Sequence, residues 1–169
     1  MRCGCRNETV QYTEKHLIDL NNALTGKALD AVQFQNPTWS FLFGDHWINE
    51  CGPWRLCDSN EIYITSEDHG HSFGAGHPID AKAEIEGQLS DYLIFQMEYV
   101  QSTGDLKLMF KHGKDVYATP KYLEILSVSS GYESWTMTKI DDPNNLQLVG
   151  QPGNQIDKPI HQELIIQDN

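Results

Sequence analysis

"WSFLFGDHWINECG", residues 39–52, decides the fold class of this 169-residue chain. Aromatic and aliphatic residues fill its two arms, and Gly44-Asp45 between them is a pair that favours a tight turn. Two short apolar runs joined by such a turn predict an antiparallel hairpin. Similar runs lie upstream, at 28–34, and downstream, at 54–57 and 61–66. Together they predict a β-meander.

One amphipathic helix is predicted on each side of this meander. Leucines recur at helical spacing through residues 14–24, after the potential capping residue Thr13 and before Gly26. A second helix is predicted within 78–93, where Asp80 is a plausible cap. Its apolar stripe consists of Ala81, Ile85 and Leu89. Both helices need a sheet on which to pack.

The second half of the chain repeats the order of the first. Strands are predicted at 93–100, 105–110, 115–120, 132–138 and, more briefly, 146–149. Both halves then contain a tryptophan, Trp54 and Trp135, and convergent patterning and true duplication both explain the match. The predicted fold class is α+β, with antiparallel β-meander sheets and two short amphipathic helices, arranged in one alternative as two related β-rich halves.

The domain boundaries follow from composition. We expect a flexible N-terminal segment over 1–12, a single α+β domain over 13–155 and a polar C-terminal tail over 156–169. No run approaches the roughly 20 apolar residues of a membrane span, so no membrane contact is expected. The start of the chain lacks a hydrophobic signal-peptide core, which favours a cytoplasmic location.

Charge is the clearest global signal. Twenty-four acidic residues against twelve basic ones give a net charge of −12. Such a surface repels phosphate backbones, and the basic residues are scattered, so nucleic-acid binding is not expected. The charge either keeps the protein in solution by repulsion or faces a basic protein partner.

The four cysteines are predicted to be unpaired thiols. Cys3 and Cys5 are separated by one residue, and Cys51 and Cys57 by five. Neither spacing matches the gap usual in structural zinc sites. A composite site that combines Cys51 and Cys57 with loop histidines is the alternative.

Each tryptophan lies close to a charged residue. Arg55 follows Trp54, and Glu133 precedes Trp135 by two positions. Alternation along a strand would bury the ring and direct the charge to solvent or to a cross-strand ion pair. The functional alternative is an exposed edge presenting tryptophan and arginine, which are enriched in binding hot spots.

The stretch "SEDHGHSFGAGHPID", residues 66–80, has the composition of a site. On a strand, His69 and His71 would point to the same face, and Asp68 and His77 could complete a set of metal ligands. The competing interpretation is a connecting loop in which Asp68 and His69 make turn hydrogen bonds. In that loop, positive φ angles would be permitted at Gly70, Gly74 and Gly76. A loop that contacts a partner is the third interpretation.

Five stretches follow one another along the chain: "FLFGDHWINECGPWRL", "ITSEDHGHSFG" with "PIDA", "TGDLKLMF", "SSGYESWTM" and "LVGQPG". In this order they resemble a bacterial domain family of unknown function that often accompanies polymorphic toxins and is suspected to consist of immunity proteins. The resemblance covers most of residues 16–155 and is tightest at 131–135 and 54–56. The chain departs from the family pattern at Asn154, where a second glycine is expected. The resemblance implies a small antiparallel α+β domain with a binding role.

The resulting hypothesis is an immunity-type protein that neutralises a toxin by direct contact, as a monomer or weak dimer without a cofactor. The expected partner is a basic toxin domain, because opposite fields speed association. The candidate contact residues are Asp45, Glu50, Asp58, Glu61, Glu67 and Asp68. The alternative is a small metal-dependent enzyme that uses His69, His71 and His77. No catalytic motif such as Gly-x-Ser-x-Gly is present in the sequence.

Overall fold

A computed structural model describes residues 8–9, 12–127, 135–150 and 155–156, and it confirms the α+β fold class. Two antiparallel five-stranded sheets account for most of the strands. The helices are α1 (Glu14–Leu24) and α2 (Ala81–Leu89). The strands before α2 are β1 (Glu8–Thr9), β2 (Ala31–Gln35), β3 (Thr38–Phe43), β4 (His46–Cys51), β5 (Trp54–Cys57) and β6 (Ile62–Thr65). Those after α2 are β7 (Tyr92–Val100), β8 (Asp105–His112), β9 (Lys121–Ile125), β10 (Trp135–Lys139), β11 (Asp142–Gly150) and β12 (Gln155–Ile156).

The two sheets have the same construction. The first has the strand order β2-β3-β4-β10-β11, and the second has the order β7-β8-β9-β5-β6. The orders become identical when the first half, α1 with β2–β6, is equated with the second half, α2 with β7–β11. Trp54 opens β5 and Trp135 opens the equivalent strand β10. The two related halves suggested by the sequence are therefore present as a repeated topology, while β1 pairs with β12 separately.

Each half contributes strands to both sheets. The chain leaves the first sheet at Gly52-Pro53, between β4 and β5, because proline cannot continue a ladder through its missing N–H. Beyond that point β5 pairs with β9, whereas β4 pairs with β10. The two sheets share one core, in which the Phe43 and Phe110 ring centroids lie 5.9 Å apart.

Both predicted helices are confirmed with their caps. The Thr13 hydroxyl accepts from the amide of His16 at 3.1 Å, and the Asp80 carboxylate accepts from two first-turn amides of α2. Helix α1 packs on β7, where Gly26, just after the helix, donates to the carbonyl of Ile94 at 2.7 Å. Helix α2 packs on β2 and β6 through the predicted stripe, whose members Ala81, Ile85 and Leu89 are buried.

One strand prediction is wrong. Residues 115–120 form an exposed loop in which the Asp115 carboxylate accepts from the amide of Tyr117, and Tyr117 is 95% exposed. The strand begins only after Pro120, as β9. The short alternation of polar and apolar residues in "DVYATP" is typical of a strand, but its apolar side chains Val116 and Tyr117 are exposed and cover no sheet face.

The remaining predictions concern residues 132–134 and the two ends of the chain. Residues 132–134 of one predicted strand and the tail over 157–169 lie outside the described residues. Tyr12, the last residue of the predicted N-terminal segment, is buried, and its hydroxyl accepts from the amide of Val149 at 2.9 Å. Among the described residues, no helix is long and apolar enough to cross a membrane.

Candidate binding surface

Residues 66–80 form the connection between β6 and α2, as the loop interpretation predicts. The loop starts with a 3-10 turn over Ser66–Asp68, where the Asp68 carboxylate accepts from the amide of Thr65 at 2.8 Å. Two backbone hydrogen bonds then close its base. Gly70 donates to the carbonyl of Ile79 at 2.9 Å, and Ile79 donates to that of His71 at 2.8 Å. The conformation of the loop is therefore set at its base.

His69 connects the loop to the core. Its ring lies against Phe34 and Trp39, with centroid distances of 4.7 and 5.1 Å. Its Nδ1 accepts a hydrogen bond of 3.2 Å from the amide of Ala81, which is the first residue of α2. A ring nitrogen that accepts from a helix amide has no lone pair left for a metal. His69 thus has a structural role at the start of α2.

The other two loop histidines do not share the buried surroundings of His69. His71 is exposed and stacks on Phe73 at 5.5 Å, and His77 is exposed. Within the parts of the chain that the structure describes, no group of three His, Cys, Asp or Glu side chains is placed to hold a metal ion. The geometry of His69, His71, His77 and Asp68 gives no support to the metal-dependent alternative.

The positive φ angles predicted for the loop occur at two of the three glycines. Gly70 has φ +80° and Gly74 has φ +85°, whereas Gly76 lies outside this region of φ. Phe73 is also in it, with φ +42°, and its side chain is 73% exposed. A bulky residue with positive φ is rare. Sequence reasoning missed Phe73, although an aromatic residue between serine and glycine in a polar loop is a usable signal.

The six candidate contact residues fall into two groups. Asp45 lies in the turn between β3 and β4, 2.9 Å from His46 Nδ1 and 3.5 Å from Lys139 Nζ. Glu50 is exposed near the end of β4. The other four flank β6, in the turn before it and in the 3-10 turn after it. They are Asp58, Glu61, Glu67 and Asp68.

The turn before β6 is built on Asp58. Its carboxylate accepts from the amides of Asn60 and Glu61, and from the Tyr63 hydroxyl at 2.6 Å. The hydrogen bond from Tyr63, followed by the two amide bonds, lowers the pKa of Asp58 below its usual range. The same bond, with burial and the charge of Asp58, raises the pKa of Tyr63 to about 12. The charged form of Asp58 is therefore favoured.

We define the β6 surface as strand β6 with the turn over 58–61 and the loop over 66–80. It lies at the edge of the second sheet, where Ile62 is 55% exposed. The segment over 56–81 contains no lysine or arginine. Its carboxylates are those of Asp58, Glu61, Glu67, Asp68 and Asp80.

Nearby cations are already engaged within the chain. Arg55 pairs with Glu124 at 2.5 Å, as the cross-strand ion pair predicted beside Trp54, and Trp54 is buried. Lys82 lies 3.9 Å from a carboxylate oxygen of Glu86. The Lys121 ammonium is largely buried and donates to the backbone and side-chain oxygens of Gln88, at 2.8 and 2.6 Å. Arg55 and Lys82 are thus paired with carboxylates outside the β6 surface, whereas the charge of Lys121 acts on Asp58 and offsets part of the negative field there.

Two of the cysteines are described and both are free thiols, as predicted. Cys51 is fully buried in the first sheet and Cys57 is buried in the second. Burial raises the pKa of both thiols, which disfavours the thiolate form that binds a metal or attacks a substrate. Cys3 and Cys5 lie outside the described residues.

Comparison with protein-family models, with curated proteins and with solved structures gives no match to this chain. The resemblance to toxin-associated immunity domains therefore stays a prediction from the sequence.

Proposed function

We propose that this protein is an immunity-type binding protein that acts in the cytoplasm and neutralises a cognate bacterial toxin by direct contact. The observation that carries the proposal is the β6 surface, whose five carboxylates lie within a continuous 26-residue stretch, 56–81, that contains no lysine or arginine. Such a surface attracts a basic domain and repels nucleic acid. The sequence resemblance supports the same role. The proposed assembly is one chain per toxin, with the free protein a monomer or weak dimer.

Electrostatic complementarity would act mainly on the rate of association. Opposite fields orient the partners before contact and raise the association rate, and salt screens this effect over about 8 Å at physiological ionic strength. A cytoplasmic toxin must be inactivated before it reaches its substrate, so rapid capture is the property that such a surface provides.

The direct test is co-expression with the toxin encoded immediately upstream. We expect rescue of growth and recovery of a one-to-one complex by size-exclusion chromatography. Absence of both rescue and complex would exclude the proposal for that toxin.

Charge variants test the surface itself. Replacing Glu61 and Glu67 with glutamine should lower the association rate and reduce its dependence on salt, because both carboxylates are exposed on the β6 surface. The matched control replaces Glu14 and Glu98, exposed on α1 and β7, with the same change in net charge. Stopped-flow measurements at several salt concentrations compare the two pairs. Equal effects of both pairs would show that net charge alone, and not the β6 surface, guides association.

A further inference from the structure

We propose that the His71–Phe73 stack, at the tip of the loop over 66–80, is the apolar anchor by which the β6 surface contacts its partner. This inference rests on the proposed function for the expectation that the partner is a toxin. The partner face that fits it is a cationic protein surface with an apolar socket for one aromatic ring.

Exposure is the first observation. Phe73 is 73% exposed, and its ring is stacked at 29° on His71, which is itself exposed. Burying an aromatic side chain is among the larger single gains available at an interface, and hot spots concentrate in such residues. An aromatic pair left in water on the free protein is therefore available for a partner.

Preorganisation is the second observation. The two hydrogen bonds between Gly70, His71 and Ile79 fix the base, and the amide of Ala75 donates to the carbonyl of Ser72 at 2.6 Å across the tip. The ring of His69 packs the base against the core. A tip that is already ordered loses little conformational entropy when it binds.

Charge selects the kind of partner. The exposed carboxylates of Glu67 and Asp80 stand at the two ends of the loop, and no lysine or arginine lies between them. An apolar tip flanked by carboxylates disfavours an acidic partner, since like charges brought together at an interface are costly. It matches a partner whose socket is bordered by lysine or arginine.

The loop over 113–120 supplies a matched control. Tyr117 is 95% exposed on a loop tip, but Lys114 and Asp115 flank it on one side, so its surroundings carry both charges. The test variants are Phe73→Asn and Tyr117→Asn. Asparagine tolerates positive φ, so the first exchange removes the ring without adding backbone strain.

The experiment starts from photo-crosslinking in the native cell. The full chain carries p-benzoylphenylalanine at position 73 or at position 117, and the crosslinked protein is identified by mass spectrometry. The identified protein is then purified and titrated calorimetrically with wild-type chain and with both variants. We expect a basic protein captured from position 73. We also expect binding weakened about 30-fold or more by Phe73→Asn and less than about threefold by Tyr117→Asn.

The outcomes separate this inference from the proposed function. Capture of an acidic protein, capture only from position 117, or unchanged affinity of Phe73→Asn would overturn the inference. If the captured basic protein is no toxin, the proposed function fails while the anchor stands. If Phe73→Asn neutralises the upstream toxin as well as wild type, and binds it as tightly, the anchor fails while the function stands.

Discussion

At the scale of single residues, Trp54 and Trp135 show how equivalent positions diverge. Both rings are buried at the start of equivalent strands. The Trp135 indole donates to the carbonyl of Gly104 at 3.1 Å, and a Cβ on Gly150 would overlap its Nε1. The Trp54 Nε1 is buried without a hydrogen-bond partner among the described residues. The site around Trp135 therefore requires the indole nitrogen, and the site around Trp54 does not.

This difference predicts unequal costs for the same substitution. Trp135→Phe removes the hydrogen bond to the carbonyl of the buried Gly104, whereas Trp54→Phe removes a buried donor that has no partner among the described residues. We expect Trp135→Phe to lower the free energy of unfolding by about 1–3 kcal/mol more than Trp54→Phe. Urea unfolding of the two variants measures this difference. Equal losses would mean that ring volume alone determines the cost.

The Asp58–Tyr63 pair makes a prediction about alkaline pH. The pKa of Tyr63, raised from 10.0 to about 12, belongs to the folded state. Its contribution to stability is complete below pH 10 and is lost as the pH rises through 12, because the unfolded phenol loses its proton first. NMR titration of ζ-carbon-labelled tyrosine should show Tyr63 titrating near 12 in the wild type and at a lower pH in Asp58→Asn, which loses the charge of Asp58. Titration of wild-type Tyr63 near 10 would contradict the pairing.

At the scale of elements, the sequence predicted what local patterns determine. Helix α1 was predictable because its cap, its leucine spacing and Gly26 all lie within a few residues. Strand β9 was not, because "KYLEI" follows a proline and begins with a lysine whose burial depends on contacts remote in sequence, with Gln88 of α2 and with the rings of Tyr63 and Tyr92. The segment over 115–120 has the local alternation of a strand, but it pairs with no strand of either sheet.

The candidate site was predictable in composition and not in geometry. The carboxylates of the β6 surface are visible in the sequence, as is the absence of lysine and arginine over 56–81. His69 differs from the exposed His71 because its ring contacts Phe34, Trp39 and the amide of Ala81, all of which are remote in sequence. No local pattern distinguishes a packed histidine from an exposed one, so the metal alternative could not be weighed from sequence alone.

The loop over 66–80 makes its own prediction through two glycines. A Cβ added at Gly74 or at Gly76 would meet no atom within 4 Å, so sterics do not separate them. Their backbones do, since only Gly74 has positive φ. We expect Gly74→Val to cost about 1–3 kcal/mol of stability and Gly76→Val to stay within about 0.5 kcal/mol. Thermal or urea unfolding of the pair tests this, and a larger loss for Gly76→Val would contradict it.

At the scale of the whole molecule, the two halves are interlocked. The first half supplies β5 and β6 to the second sheet, and the second half supplies β10 and β11 to the first. The pairings that join them, such as Asn49 with Thr136 and Arg55 with Glu124, connect residues far apart in the chain. Strand order of this kind is set by long-range packing, which is why the repeated order of elements was visible in the sequence and the exchange of strands was not.

The interlocked arrangement predicts that neither half folds alone. A cut between Gly76 and His77 falls in an exposed part of the loop and separates β2–β6 from β7–β11. In the N-terminal fragment, β4 would lack β10, and β5 and β6 would remain as an isolated hairpin, which is marginally stable at best in water. We expect each fragment alone to show no cooperative unfolding transition by circular dichroism. Mixed fragments should form a one-to-one complex with the cooperative transition of the intact chain, because the missing strands complete both sheets. A cooperative transition in either fragment alone would show that one half folds without the strands of the other.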